Sequence, residues 1–262
     1  MRHLRAWRLI IVGVAFVATA AVAAMESGKA PSVHRLGLIV DPTVFQSSES
    51  AKFDELRSSL GHLLESPRSI PEGTEVVVWI VGPESLANAG PDLRKEFTFA
   101  ANAPASSHMK NVKNWFDNTL SVRLDKSWQS AHEKGSGTTA RSCILTSLYR
   151  AATYFTERPD SKNTNLIILS DFLEVCNEWG AFVNLEQQPF ATVGTSLKKA
   201  QELIQFKNTN SIMGVLIPSK QTQTPMRQND LKKTWVEVFR RLASASRIEV
   251  VTSIPDQLLL VD

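Results

Sequence analysis

Two apolar runs, each followed by an acid, constrain the fold of this chain more than any other feature of its sequence. Residues 36–40 are followed by Asp41, and residues 166–169 are followed by a serine and Asp171. A third segment places Thr146 at the head of a helical pattern. A strand that is apolar on both faces belongs in the middle of a parallel sheet covered by helices. The two runs therefore predict neighbouring strands inside such a sheet.

The carboxyl ends of strands in an open parallel sheet face the crevice where ligands bind. Oxygen-bearing side chains next to the three segments are therefore expected to converge at that edge. They are Asp41, Thr43, Thr146, Ser170 and Asp171. Carboxylate and hydroxyl oxygens are hard ligands, which suit Mg²⁺ or a similar cation such as Mn²⁺ or Ca²⁺.

These residues give the chain a resemblance to the von Willebrand factor type A (vWA) domain. The metal-ion-dependent adhesion site of that family reads Asp-x-Ser-x-Ser after the first strand, with a Thr before a middle helix and an Asp after the fourth strand. Asp41 and Thr43 match the first two ligands, whereas Thr146 and Asp171 match the later Thr and Asp. The sequence departs from the motif at Phe45, where the family has its second Ser. The resemblance implies a metal site formed by Asp41, Thr43, Thr146 and Asp171.

Strand and helix patterns alternate along the chain, which predicts a doubly wound α/β fold with a mostly parallel six-stranded sheet and helices on both faces. The resemblance implies the same vWA-like, or Rossmann-like, architecture. The predicted strands cover residues 35–41, 75–81, 96–100, 166–169, 211–218 and 247–252. The clearest amphipathic helix covers residues 231–242, and Asp230 is its predicted N-cap.

Residues 1–24 have the pattern of an export signal. Arg2, Arg5 and Arg8 precede an apolar stretch of 16 residues, and Ala21-Val22-Ala23 offers a small-x-small cleavage site. Because a spanning helix needs about 20 residues, we favour cleavage, and an uncleaved signal anchor is the alternative. Residues 25–34 form a polar leader, and 35–262 form the α/β domain. The domain is expected in an extracytoplasmic space, most consistent with the bacterial periplasm.

The formal charge of +3 comes entirely from the amino-terminal arginines, because residues 1–24 contain no acid. The remainder is formally neutral and has no basic footprint of the kind that nucleic-acid binding needs. We therefore expect a protein partner and no nucleic acid. Contact with a membrane is expected only through the amino-terminal segment, if that segment is not cleaved.

The two cysteines flank the predicted site in sequence. Cys143 lies three residues before Thr146, and Cys176 lies five residues after Asp171. In an oxidising compartment two cysteines usually pair, so we predict a Cys143–Cys176 disulfide. Two free, buried thiols are the alternative.

The segment from Phe172 to Gly194 is too long for a simple connection and too apolar for an ordinary surface loop. Phe172, Trp179 and Phe182 are the residues that we assign to a patch that binds the partner beside the site. The alternative is that the segment folds into a short helix that packs on the sheet.

Two functions are compatible with these features. The first is an exported, non-enzymatic binding or scaffold protein, which holds a protein partner at the carboxyl edge of the sheet, with or without a divalent cation. The second is an extracytoplasmic metal-dependent hydrolase of phosphate esters, because Asp41-Pro42-Thr43-Val44 resembles the nucleophile segment of haloacid-dehalogenase-type phosphatases. That family has a second acid where this chain has Thr43. The chain also lacks the Gly-x-Ser-x-Gly, His-Glu-x-x-His and Walker motifs, so we favour the first function.

Overall fold

The structure is a computed structural model that describes most of the chain beyond residue 33. The described ranges are 34–45, 47–65, 70–81, 90–97, 105–133, 143–159, 161, 163–173, 175–176, 183–184, 201–219 and 222–253. The predicted export signal lies outside them.

Six strands form the main sheet. They are β1 (His34–Val40), β2 (Thr74–Ile80), β3 (Leu93–Phe97), β4 (Asn163–Ser170), β7 (Ser211–Leu216) and β8 (Arg247–Val251). Their order is β3-β2-β1-β4-β7-β8. All neighbours are parallel except β3, which is antiparallel to β2. The short strands β5 (Val175–Cys176) and β6 (Val183–Asn184) form a separate antiparallel pair.

The helices pack on both faces of this sheet. They are α1 (Ser50–Glu65), α2 (Ala105–Trp115), α3 (Ser121–Glu133), α4 (Ile144–Thr156) and α5 (Pro225–Leu242). A π-helical segment, Phe116–Leu120, joins α2 to α3. None of the helices in the described ranges has the length and apolarity needed to cross a membrane.

Alternate residues of β1 contribute to two separate cores. Leu36, Leu38 and Val40 pack in a cluster with residues of α1, α2 and α3. Ile39 belongs to the opposite cluster, which contains the buried residues of α4 and α5. The prediction of a doubly wound α/β fold with a mostly parallel six-stranded sheet is therefore confirmed. The strand order reverses direction between β1 and β4, the place where ligands bind in such sheets.

A glycine in β1 lets α4 lie close to the sheet. A Cβ at Gly37 would come within 2.7 Å of Phe155 Cζ and 2.9 Å of Leu166 Cδ1. Phe155 also packs edge-on against Trp79 of β2, with ring centroids 5.7 Å apart. These contacts fix α4 over β1 and β2, and so fix the direction in which its first turn projects.

Two predicted boundaries are wrong. The third strand begins at Leu93 and not at residue 96, and residues 98–100 lie outside the described ranges. Its antiparallel edge position explains its mixed polar pattern. Helix α5 begins at Pro225, and the Thr224 side chain accepts a hydrogen bond from the Arg227 N–H. Asp230 therefore lies inside α5 and is not its N-cap. Proline suits the first helical position because its fixed φ is helical and its missing N–H is not needed there.

A buried ion network lies where β1 and β2 begin, at the edge opposite the predicted site. The Glu75 carboxylate accepts hydrogen bonds from Arg35 Nε at 2.6 Å, from the Tyr154 hydroxyl at 2.7 Å and from Arg94 Nε. Arg35 also donates to the carbonyl of Arg158 at 2.5 Å. Both Arg35 and Glu75 are almost completely buried, so this network ties β1, β2, β3 and α4 together.

Candidate functional site

The first acid of the predicted site directly follows β1. The Asp41 N–H donates to the Leu169 carbonyl of β4 at 2.9 Å, which extends the ladder between the two strands by one residue. Asp41 then caps a short 3-10 turn, Pro42–Val44, through its Oδ1, which accepts hydrogen bonds from the Thr43 N–H at 3.0 Å and from the Thr43 hydroxyl at 2.5 Å. Pro42 occupies the first position of this turn, where its missing N–H is not needed.

A hydrogen bond across the strand ends joins β4 to this acid. Val40 pairs with Leu169, so the next residues, Asp41 and Ser170, lie side by side. The Ser170 hydroxyl donates to Asp41 Oδ2 at 2.9 Å. Both carboxylate oxygens of Asp41 therefore accept hydroxyl hydrogen bonds, and Asp41 and Ser170 are fully buried. This arrangement holds one orientation of the Asp41 carboxylate.

The second acid lies on the adjacent strand end. Asp171 follows Ser170 directly, is 5% exposed, and accepts a hydrogen bond from the Leu173 N–H at 3.0 Å through its Oδ1. The structure thus brings Asp41, Thr43, Ser170 and Asp171 together at the carboxyl edge of β1 and β4. Thr43 is half-buried, and it is the most accessible of these groups.

Thr146 is the third residue of α4 and is fully buried. Eight residues later in the same helix, Tyr154 reaches Glu75 near the beginning of β2. Since α4 rises about 1.5 Å per residue, Thr146 lies about 12 Å nearer to the other end of the strands. The first turn of α4 therefore belongs to the same edge of the sheet as Asp41 and Asp171.

The residue that breaks the adhesion-site motif is part of the core. Phe45 is 3% exposed and packs edge-on against Phe53 of α1, with ring centroids 5.8 Å apart. Phe53 in turn stacks on Trp128 of α3 at 5.2 Å. The position that carries the family's second Ser therefore anchors the loop after β1 to the helices below it, and it provides no oxygen ligand.

Phe172 does not lie on the surface, so its predicted role as a partner contact is wrong. Its side chain is 0% exposed and packs against Trp235 and Phe239 of α5. Leu173 is 3% exposed. An aromatic side chain of this size is most stable when it is removed from water, and the sheet offers space for it above Gly214. The start of the predicted loop therefore belongs to the core.

The remaining predicted residues are the two other aromatic residues of the loop and the two cysteines. Trp179 and Phe182 are outside the described residues. Cys143 is 2% exposed and is the residue at the N-cap position of α4. The backbone of Cys176 lies in β5, five residues after Asp171.

A third acid, which the sequence reasoning did not single out, lies at the same edge beyond β2. Asp92 accepts a hydrogen bond from the Ile80 N–H at 2.9 Å, and Arg150 of α4 approaches Asp92 at 3.4 Å and donates to the Gly90 carbonyl at 2.6 Å. Burial raises the pKa of Asp92 and lowers the pKa of Arg150. These contacts fix the beginning of β3 against α4. No local sequence pattern indicates them.

The donor groups at this edge fit a hard divalent cation in chemical type. Two carboxylates and two hydroxyls are the ligands that Mg²⁺ prefers, and that ion usually keeps several waters. The described residues contain no cluster of three or more His, Cys, Asp or Glu side chains that could bind a metal. A cation at this edge would therefore depend on hydroxyl oxygens and water in addition to Asp41 and Asp171.

Comparisons with known proteins match the chain only at the level of structure. No family model and no curated protein matches it. The human COPII-coat protein Sec24c is similar at 11% identity and a TM-score of 0.46, over 86% of this chain and 30% of that chain. The pilus adhesin SpaC from Lactobacillus rhamnosus GG is similar in two forms at 10% identity, with TM-scores of 0.43 and 0.47. Both alignments cover 87% of this chain and 29% of the adhesin. This chain thus spans less than a third of the length of these proteins.

Proposed function

We propose that this protein is an exported, non-enzymatic binding or scaffold protein, whose vWA-like domain holds a protein partner at the carboxyl edge of the sheet. The observation that carries the proposal is the hydrogen bond from Ser170 to Asp41. It joins the ends of two central strands, and Asp171 follows Ser170 directly at the same edge of the sheet. A fixed group of oxygen atoms at the edge where doubly wound sheets bind ligands suits recognition of a partner.

A divalent cation is part of this proposal. Asp41, Thr43, Thr146 and Asp171 would hold it, and waters and a carboxylate of the partner would complete its coordination. When bound, the ion would supply a positive charge that attracts the partner's carboxylate. Because Phe45 contributes no oxygen, this site offers fewer protein ligands than the family motif, and more of the coordination must come from water and the partner.

Hydrolysis of a phosphate ester fits the geometry less well. A nucleophilic carboxylate needs an oxygen that can reach the phosphorus atom of the substrate. Asp41 is fully buried, and Thr43 and Ser170 each donate a hydroxyl hydrogen bond to it. These contacts favour a structural or ligand role for Asp41 over attack on a substrate.

We also propose that the domain is extracytoplasmic and contains the Cys143–Cys176 disulfide. The proposal rests on the compartment, because two cysteines in an exported protein usually pair, and Cys143 lies buried at the N-cap position of α4. A bridge between α4 and the hairpin of β5 and β6 would hold two segments next to the proposed site. In the loop-entropy model a bridge of this length stabilises by about 3–4 kcal/mol.

Site-specific photo-cross-linking tests where the partner binds. Ser48 is exposed in the turn Ser47–Glu49, between β1 and α1 at the carboxyl edge. Arg241, in the last turn of α5 at the opposite edge, is the matched control position. In cells that express the full chain, we expect a discrete protein adduct from position 48 that is absent from position 241. The adduct should disappear when Asp171→Ala is added. Equal adducts from both positions, or none from position 48, would contradict the proposal.

A thermal-shift titration tests the cation separately. A ligand present at 100 times its dissociation constant stabilises the native state by about 2.7 kcal/mol. For a domain of this size that corresponds to a rise in Tm of about 5–10 °C. We expect such a rise with Mg²⁺ or Mn²⁺, and we expect Asp171→Asn to abolish it.

The control for this titration is Asp54→Asn. Asp54 is an exposed acid of α1 that pairs with Arg57, and its substitution should leave the shift intact. If the wild-type protein shows no rise in Tm, the proposal of a bound cation is wrong and only a metal-free binding site remains. A shift that persists in Asp171→Asn would place the ion elsewhere.

A further inference from the structure

Phe172 has an unusual backbone conformation directly beside the proposed site. Its φ angle is 59°, and no other non-glycine residue in the described ranges has a positive φ. Left-handed conformations are unfavourable for residues with a large side chain, and they persist only where the surroundings hold them. Phe172 follows Asp171 directly, so the surroundings that hold it also affect the site.

Three sets of contacts hold Phe172 in place. Its N–H donates to the Ser170 hydroxyl at 3.0 Å, and its carbonyl accepts a hydrogen bond from Trp235 Nε1 at 2.9 Å. Its ring packs 5.2 Å from the Trp235 ring and 6.2 Å from the Phe239 ring, measured between centroids. Gly214 of β7 provides the remaining space, because a Cβ there would lie 2.8 Å from Phe172 Cζ.

The hydrogen bonds continue from Phe172 to the first acid of the site. The Ser170 hydroxyl accepts the Phe172 N–H and donates to Asp41 Oδ2. A hydroxyl has a single proton and two lone pairs. Accepting the N–H from one side therefore leaves its proton free to point at Asp41. The orientation of Asp41 thus depends on where the backbone of Phe172 lies.

We propose that Phe172 is a positioning residue of the site. Trp235 and Gly214 hold it in the left-handed conformation, and it orients Asp41 through Ser170. It also sets the position of the next residue, Leu173, whose N–H donates to Asp171 Oδ1. The inference rests on the proposed function, since the groups that it positions are those of the proposed binding site. Helix α5, which carries Trp235, therefore helps to set the geometry of that site.

Amide hydrogen exchange in Trp235→Phe tests this proposal without any ligand. The substitution keeps a buried aromatic ring and removes the donor to the Phe172 carbonyl. We expect the Phe172 and Leu173 amides to exchange about tenfold faster or more. We also expect faster exchange of the Thr43 amide, which donates to Asp41 Oδ1. Thr43 lies beyond Ser170 and Asp41 in the series of contacts, so a purely local defect in packing would not change its exchange.

Trp79→Phe is the matched control. Trp79 is fully buried, and its indole nitrogen has no hydrogen-bond partner among the described residues. Its substitution removes the same atoms from a core without removing a hydrogen bond. Exchange of the Thr43 and Leu173 amides should therefore remain as in the wild type.

Gly214→Ala provides a second route if Trp235→Phe fails to fold. The added methyl group displaces the Phe172 ring from the opposite side, and it should accelerate the same three amides. Unchanged exchange at Thr43 and Leu173 in a folded Trp235→Phe or Gly214→Ala variant would overturn the proposal. If exchange changes as expected but the wild-type protein binds neither Mg²⁺ nor a partner at this edge, the positioning role stands and the proposed function is wrong.

Discussion

Replacement of Glu75 with Gln is expected to lower the free energy of unfolding by about 3–5 kcal/mol. Glu75 is 1% exposed and Arg35 is 2% exposed. Gln removes the negative charge that faces the Arg35 guanidinium at 2.6 Å inside the buried network. Breaking a buried pair by removing one partner costs more than the pair contributes, because the remaining charge cannot be solvated. Urea unfolding followed by circular dichroism measures the change as a lower midpoint.

The pH dependence of stability gives this prediction a second signature. Burial raises the pKa of Glu75, but hydrogen bonds from Arg35 and Tyr154 and the charges of Arg35 and Arg94 outweigh it, so that the pKa lies below its ordinary value of 4.5. The stability from ionised Glu75 is therefore fully present above about pH 4.5, and it is lost as the pH falls through the lowered pKa. Glu75→Gln should lack this part of the acid transition.

The raised pKa of Tyr154 predicts that stability also falls at high pH. Burial, and then the hydrogen bond and charge of Glu75, raise the pKa of Tyr154 from 10.0 to about 12. Its contribution to stability is therefore present below pH 10 and is lost as the pH rises from 10 towards 12.

The control for Glu75→Gln is Glu237→Gln. Glu237 and Arg241 form an i,i+4 pair on α5, and both side chains are more than 40% exposed. Because exposed pairs of this kind contribute about 0.3–0.5 kcal/mol, the control should unfold within about 0.5 kcal/mol of the wild type. Equal effects of the two substitutions would show that the buried network does not stabilise the fold as we infer.

The course of the sheet could be predicted because it depends on local patterns. The apolar runs of β1 and β4 identify the central strands, and parallel strands place their following residues at one edge. That Asp41 and Asp171 lie at the same edge of the sheet therefore follows without any further information. The sequence does not indicate the beginning of α5, because the cap at Thr224 and Pro225 lies six residues before the amphipathic pattern that makes Asp230 the predicted N-cap.

The parts of the site that could not be predicted depend on contacts between distant segments. Phe45 breaks a sequence motif, but only the position of Phe53 on α1 explains where its side chain goes. Phe172 begins an apolar loop in sequence, and no local signal indicates that its backbone is left-handed. The acceptor for the Trp235 indole lies 63 residues away. A buried indole usually has a hydrogen-bond partner, but the sequence does not say which carbonyl provides it.

The left-handed conformation of Phe172 leads to an unusual order of stabilities. Phe172→Ala should lower the free energy of unfolding by about 3–5 kcal/mol, because it removes a fully buried ring from between α5 and Gly214. Phe172→Gly removes the same ring and one more carbon. At a φ of 59° alanine remains strained by about 1–2 kcal/mol, whereas glycine does not. We therefore expect Phe172→Gly to be more stable than Phe172→Ala by about 0.5–1 kcal/mol after the larger chain entropy of glycine is included.

Phe239 provides the comparison that isolates the backbone effect. Phe239 is also fully buried, its ring contacts the Phe172 ring, and it lies inside α5. In a helix interior glycine is about 1 kcal/mol less favourable than alanine, so Phe239→Gly should be less stable than Phe239→Ala. Urea unfolding of the four variants measures both differences under identical conditions. The order of Gly and Ala should thus reverse between the two positions. If Ala is the more stable substitution at both, the backbone of Phe172 is not left-handed in solution, and the series of contacts from Trp235 to Asp41 cannot form as described.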